Sequence, residues 1–318
     1  MSVVESARPP GRVALIGDVG GQADELRAAL VALGADPADL QLPDDLTVVQ
    51  VGDLIHRGPD TPGAVAIART VMDRQPAQWV QLAGNHEAYY LTPPKFHWPE
   101  RLAEQDLETI YHWWRTRRMQ VAAAVEVTGE PHQYLVTHAG LTEGFWRHFI
   151  GMPSSAADTA AALNALIGSI HENWLFRPGV MLTRQVDHAA GPLWASAPDE
   201  LLPSWAASAS SASFHQVHGH SSTVDWVTGR RYGRQDLPFQ ERDDEVLRHA
   251  TVLIEGMTIV GIDPGHGRRP APRWGPLVLD DARLVRTGPR RPPRVVDDVR
   301  PVRGGELTNT GPIARIQP

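Results

Sequence analysis

Short apolar runs that stop at the same kinds of residue recur along this chain, and that recurrence constrains its fold more than any other feature. The runs are RVALI at 12–16, LTVVQV at 46–51, WVQLA at 79–83, QYLVT at 133–137 and FHQV at 214–217. They end, in order, at Gly17-Asp18, Gly52-Asp53, Gly84-Asn85-His86-Glu87, His138-Ala139-Gly140 and His218-Gly219-His220. A run of four to six apolar residues bounded by turn formers reads as a buried strand. Between the first three lie helical patterns. Asp24–Leu33 places Leu26, Leu30 and Leu33 on one face, and residues 60–75 place Val65, Ala68 and Met72 inward. Alternating strand and helix predicts parallel pairing and an α/β core. In such sheets ligands bind beyond the carboxyl ends of the strands, where these Asp, Asn and His residues stand.

The rest of the chain is organised around that core. Residues 1–10 read as a loose lead-in, and residues 88–130 as an inserted helical cap with a helix near 100–118. A helical segment is expected at 156–173, and a flexible Ser/Ala/Pro-rich loop at 198–213. A hairpin around Glu255-Gly256 is expected within 251–262, its second arm leading into Asp263-Pro264-Gly265. From Arg286 to Pro318 the chain carries seven Arg, three acidic residues and much Pro and Gly without apolar periodicity, the pattern of a disordered tail. The expected division is therefore one domain over 1–285 and a tail over 286–318.

Composition narrows the function. A net charge of −7 gives no broad attraction to nucleic acid or anionic membrane, so only the basic tail favours nucleic acid. The absence of cysteine excludes thiolate ligands and disulfides and fits a cytoplasmic protein. No run approaches the ~20 apolar residues of a spanning helix. The ten Trp read mainly as core and loop anchors, Trp194 among them.

Carboxylate, amide oxygen and imidazole together suit hard or borderline divalent metals. Two such ions bridged by a carboxylate generate a hydroxide at neutral pH and neutralise a phosphoryl transition state. The sequence offers a residue for each role. Asp18 binds the first metal and Asp53 bridges, while Asn85, His138 and His220 complete the second. Arg57 forks onto phosphate oxygens and His86 protonates the leaving oxygen. His218, two residues before His220, is expected on the same face, as a contact behind the ligands or to phosphate. Singly, each residue has a plainer reading, such as Asp18 as a helix cap or Asp53 and Arg57 as a surface ion pair.

The ordered series GDVGG, GDLIHRG, GNHE, THAG and HGH resembles the calcineurin-like metallophosphoesterase superfamily. Within it the chain is most similar to the phosphoprotein-phosphatase branch, including bacterial serine/threonine phosphatases and symmetrical dinucleoside tetraphosphatases. The resemblance covers roughly residues 12–265. It implies a four-layer α/β/β/α sandwich around two sheets. It also implies two divalent ions (manganese, iron, zinc or nickel) and hydrolysis of a phosphorylated protein or small molecule by metal-activated hydroxide.

Two positions depart from the family pattern. Gly20 stands where the family has a histidine ligand of the first metal, leaving water or Gln22 to replace it. His56 stands where many members have an aspartate that orients the catalytic histidine, although tetraphosphatase-like members also lack it. His56 accepts a hydrogen bond only when neutral. Gly20 supports an alternative reading, a weakened phosphate-binding or scaffold protein. Glu87 is the usual residue of GNHE.

Overall fold

A computed structural model describes residues 9–208, 212–233, 239–266 and 274–285. The 286–318 tail, most of the lead-in and the centre of the Ser-rich stretch lie outside the described residues. The first half of the fold comprises β1 (Gly11–Ile16), α1 (Ala23–Ala32), β2 (Leu46–Gln50), α2 (Thr61–Arg74), β3 (Trp79–Leu82), α3 (Asn85–Leu91) and α4 (Glu104–Arg115). There follow β4 (Met119–Gln120), β5 (Ala122–Val127), β6 (Gln133–Thr137), α5 (Glu143–His148) and α6 (Ala156–Ala165). The remainder is α7 (Val180–Thr183), α8 (Leu202–Ala206), β7 (Phe214–His218), β8 (Gln240–Asp244), β9 (His249–Ile254), β10 (Met257–Gly261) and β11 (Leu277–Leu284).

The strands form one mixed sheet in the order β4-β3-β2-β1-β11-β5-β6-β7-β10-β9-β8. Two parallel sets lie within it: β1, β2, β3 and β4 on one side, β6, β7 and β10 on the other. β11 joins them, antiparallel to both β1 and β5.

The sheet folds onto itself because its apolar residues alternate between two cores. Val13, Leu15, Val49 and Val51 from one half pack with Val136, Val217, Val260 and Ile262 from the other in one buried cluster. Their neighbours Ala14, Ile16, Leu46 and Val48 face a second, larger core beneath the helices. Strands apolar on both faces are what a sheet covered on both sides requires. Burying such a side chain contributes roughly 1.5–3 kcal/mol. The arrangement is the layered α/β sandwich expected for this type of chain.

Folding over brings the carboxyl ends of the two sets together. A side chain on Gly17, after β1, would lie 2.1 Å from the Ile262 carbonyl after β10. One on Gly219, after β7, would lie 2.1 Å from Asp18 Oδ1.

Three sequence expectations are revised. The helical part of residues 88–130 ends at Arg115, and Ala122–Val127 belongs to the sheet as β5. The expected loop at 198–213 begins as helix: Ala197–Leu201 forms a π-turn that runs into α8, with Leu201, Leu202 and Trp205 buried. The 156–173 helix ends at Ala165, and a 3-10 turn follows at Glu172–Trp174.

Candidate metal and phosphate site

The loop after β2 is built on unusual backbone. Asp53, His56 and Arg57 have φ of 51°, 70° and 67°, and His220 across the site has 65°. Left-handed backbone costs an L-residue roughly 1–2 kcal/mol, so other contacts must hold this loop. Glu87 supplies them. Its fully buried carboxylate accepts from the backbone N–H of Asp53 and Gly84, each at 2.8 Å, and of Leu54 at 2.9 Å. Burial pushes Glu87 up to about 7, against the pull of those donors. The turn after β1 is tied to the same loop, since Gly20 and Gly21 donate to the carbonyls of Asp53 and Leu54.

Asp53, His138 and His220 bring one ligand atom each within 4.8 Å of one another. His138 Nδ1 lies 3.0 Å from the Val51 carbonyl, which only accepts, so Nδ1 carries the proton. Burial lowers the His138 pKa to about 4, and the ring is neutral. Its bare Nε2 then faces Asn85 Oδ1 at 3.0 Å and Asp53 Oδ1 at 3.4 Å. With Asp53 ionised, three acceptors converge with no hydrogen between them. His220 Nε2 is buried without a hydrogen-bond partner among the described residues. Burial also pushes Asp53 up to about 7 although the His86 N–H donates to its Oδ1 at 2.9 Å. Lone pairs aimed at one point, with an orphaned imidazole nitrogen beside them, fit a divalent cation bound by O and N donors.

Asp18 Oδ1 accepts from the His220 N–H at 2.9 Å, joining β1 to β7. Burial, with the nearby carboxylates Asp263 and Asp53, holds its pKa well above the ordinary carboxylate value. His218 ends β7 with Nδ1 2.8 Å from the Gly219 carbonyl. The strand stops there, and His220 sits beyond it in left-handed backbone, so strand alternation does not carry from one histidine to the other.

His86 and Arg57 form a second group. Arg57 Nε and Nη2 each lie 3.4 Å from His86 Nε2, and a guanidinium only donates. Nε2 is therefore the acceptor, and Nδ1–H donates to His56 Nδ1 at 2.7 Å. His56 in turn holds its proton on Nε2, 2.8 Å from Tyr90 Oη. Burial, with Arg57 and Arg101, lowers the His56 pKa to about 3, so it stays a neutral acceptor. His56 thus receives the proton that a carboxylate would receive in its place. Trp98 stacks on His56 at 5.8 Å, meets His86 edge-on at 4.6 Å and lies under the Arg57 guanidinium at 5.5 Å. Trp194 packs edge-on against His220 at 6.1 Å.

The structure thus gathers Asp18, Asp53, Asn85, His138 and His220, with Arg57, His86 and His56 adjoining and His218 behind. Sequence reasoning gave no part in the site to Glu87, Asp263, Trp98 or Tyr90. The spacing Gly84-x-x-Glu87 at a strand-to-helix junction was the available signal for Glu87, because a third-position Glu commonly turns back on a helix N-terminus. Asp263 had one too, as the first polar residue after a sixth buried run.

A sequence profile described as calcineurin-like phosphoesterase matches residues 11–282. A comparison with curated protein sequences finds no significant match. Among solved structures, the chain is similar to a cold-active protein-tyrosine phosphatase of a psychrophilic Shewanella species. That match has 16% identity, a TM-score of 0.49, and covers 88% of this chain and 80% of the other. It is also similar to a protein serine/threonine phosphatase from Saccharomyces cerevisiae, at 12% identity, TM-score 0.43 and coverage of 86% and 80%. A putative diadenosine tetraphosphatase matches at 18% identity, TM-score 0.32 and coverage of 85% and 96%. No helix among the described residues is long and apolar enough to cross a membrane.

Proposed function

We propose, from the premise that the chain belongs to the calcineurin-like phosphoesterase family, that it hydrolyses a phosphomonoester of a phosphoprotein, nucleotide or small molecule. Family membership and the ligand cluster support a metal-dependent hydrolase. The observation that carries the finer reading is the meeting of acceptor-only atoms at His138 Nε2, Asn85 Oδ1 and Asp53 Oδ1 beside the orphaned His220 Nε2.

Asp53, Asn85, His138 and His220 would hold one divalent ion, and Asp18 with Asp53 a second. Bound ions of this kind lower the pKa of a water and neutralise charge on phosphoryl oxygens. The protein's residues do the rest. Arg57 is exposed and rests against His86 Nε2. A phosphate drawing the guanidinium onto its oxygens frees that nitrogen. Burial and Arg57 hold the His86 pKa well below its ordinary 6.5, so the resting ring is neutral. Once freed, Nε2 takes the proton of a singly protonated phosphate ester and delivers it to the leaving oxygen, while Nδ1–H stays on neutral His56. Trp98 restricts water around both rings.

The test is turnover of p-nitrophenyl phosphate in manganese by Asp53→Asn and His86→Asn. Loss of about 10³-fold for the first and 10²-fold or more for the second is expected, with unchanged circular dichroism. Full activity in both variants would sink the mechanism. Gly20 favours a second reading, binding of a phosphorylated ligand with little turnover. Under that reading wild type is nearly inactive and Gly20→His raises hydrolysis strongly.

A further inference from the structure

Gly20 leaves the first metal one imidazole short, and the structure holds a buried imidazole beside Gly20. We infer that His266, reaching in from the loop after β10, supplies the first metal's nitrogen ligand in place of a side chain at position 20. This deepens the metal-dependent reading above and rests on it.

Three observations carry the assignment. A Cβ on Gly20 would lie 3.3 Å from the Cβ of His266, so the His266 side chain starts in direct contact with the space a residue-20 side chain would enter. His266 is 4% exposed, and both its ring nitrogens are buried without a hydrogen-bond partner among the described residues. A buried polar group left unpaired is costly, and an imidazole with no bond at either nitrogen loses none by turning toward a ligand. Its loop is also tied to the site. Arg57 Nη1 donates to the His266 carbonyl at 3.2 Å. Asp263, three residues earlier, acts electrostatically on both Asp18 and Asp53. The ring packs edge-on against Trp274 at 5.9 Å.

The same geometry accounts for the glycine. Gly20 has φ +54°, and a side chain there would press on the His266 Cβ. Imidazoles at 20 and 266 compete for one space, so a chain that uses His266 is best served by no side chain at 20. The ligand has moved from the first parallel strand set to the second.

The test is manganese binding by wild type, His266→Ala and His266→Gln, followed by calorimetry, by elemental analysis after gel filtration and by electron paramagnetic resonance. Wild type is expected to hold two ions per chain and give a spin-coupled signal. Each variant should keep one ion, weaken the other about ten-fold or more and show an uncoupled signal. His266→Gln, which preserves bulk and hydrogen-bonding capacity, covers the case in which the alanine variant misfolds. Two ions bound with wild-type affinity in His266→Gln overturn the assignment. So does a wild type that holds a single ion unaffected by either variant, even if it turns over substrate and Asp53→Asn does not. No manganese bound by wild type at all overturns the metal-dependent reading itself.

Discussion

The two parallel strand sets contribute to one site by different means. In the first, β1, β2 and β3 each hand a residue to the site directly from a short strand-to-helix turn. In the second, β6 and β7 are separated by 76 residues, and His220 reaches the site only past the end of its strand. Each set relies on one buried carboxylate to organise its loops. Glu87 accepts three backbone N–H groups around Asp53. Glu200 likewise accepts from Val180 and Asp187 at 2.8 Å and from Ser196 at 2.9 Å. Burial raises the pKa of both. The same device thus serves the site backbone in one half and an outer loop cluster in the other, which separates the cost of losing the anchor from the cost of moving a ligand.

The seam between the halves should be the most sensitive point. Gly219→Ala places a methyl group 2.1 Å from Asp18 Oδ1 and 2.9 Å from Val51 Cγ2. A loss of about 100-fold or more in kcat is expected, because a 1 Å displacement at a reacting centre has that scale. Near-normal kcat would mean that the strand sets separate freely here, and the contact between them would lose its importance.

The paired carboxylates come next. Glu87→Gln and Glu200→Gln each set an amide NH₂ against backbone donors, and each should lower stability by about 2–3 kcal/mol in urea titrations. Their activities should diverge, with kcat falling about 100-fold for Glu87→Gln and less than about ten-fold for Glu200→Gln. Equal losses of kcat would erase the distinction between the halves.

The smallest effect concerns acid stability in the second half. Burial holds the His249 pKa below its ordinary 6.5, and its Nε2 lies 2.9 Å from the Gly275 carbonyl. The unfolded chain therefore takes up this proton first as pH falls. The contribution of His249 is intact above about pH 6.5 and declines below it. His249→Gln should reduce the slope of unfolding free energy against pH by up to about 1.4 kcal/mol per unit below 6.5. An unchanged slope between pH 7 and 5 in metal-free protein would show that His249 titrates alike in both states.

The same contrast explains what the sequence made legible. β1, β2, β3 and β6 lie within about a residue of their expected bounds, because each is a β-branched or leucine-rich run closed by Gly or His. Asp18, Asp53, Asn85, His86 and His138 follow from that placement. The second half hid more. β5 reads AAAVEV, and a run of alanines carries little strand preference, so it was assigned to the cap. Pro198 and Pro203 suggested a loop, yet Pro198 sits in the first turn of its element, where proline lacks only an N–H that would be unpaired anyway, and Pro203 falls where the π-turn passes into α8. β11 places Asp280 and Asp281 mid-strand, Asp281 with φ 48°, and shows no apolar alternation to read. His266 was invisible for a different reason. Its importance lies in what stands beside it across 246 residues of chain.

β11 also governs how the protein can be made. It is the last described strand, yet it pairs with the first, Val13 opposite Leu279 and Leu15 opposite Leu277. During synthesis β1 therefore waits for nearly the whole chain, with one edge unpaired and β5 equally open. Contacts this distant in sequence form slowly and leave strand edges exposed to other chains. A chain stopped before Leu277 should aggregate through those edges, visible as light scattering during refolding, and supplying the 277–285 segment as a separate peptide should suppress it. If the shortened chain refolds as a clear monomeric solution, β11 is dispensable for closure.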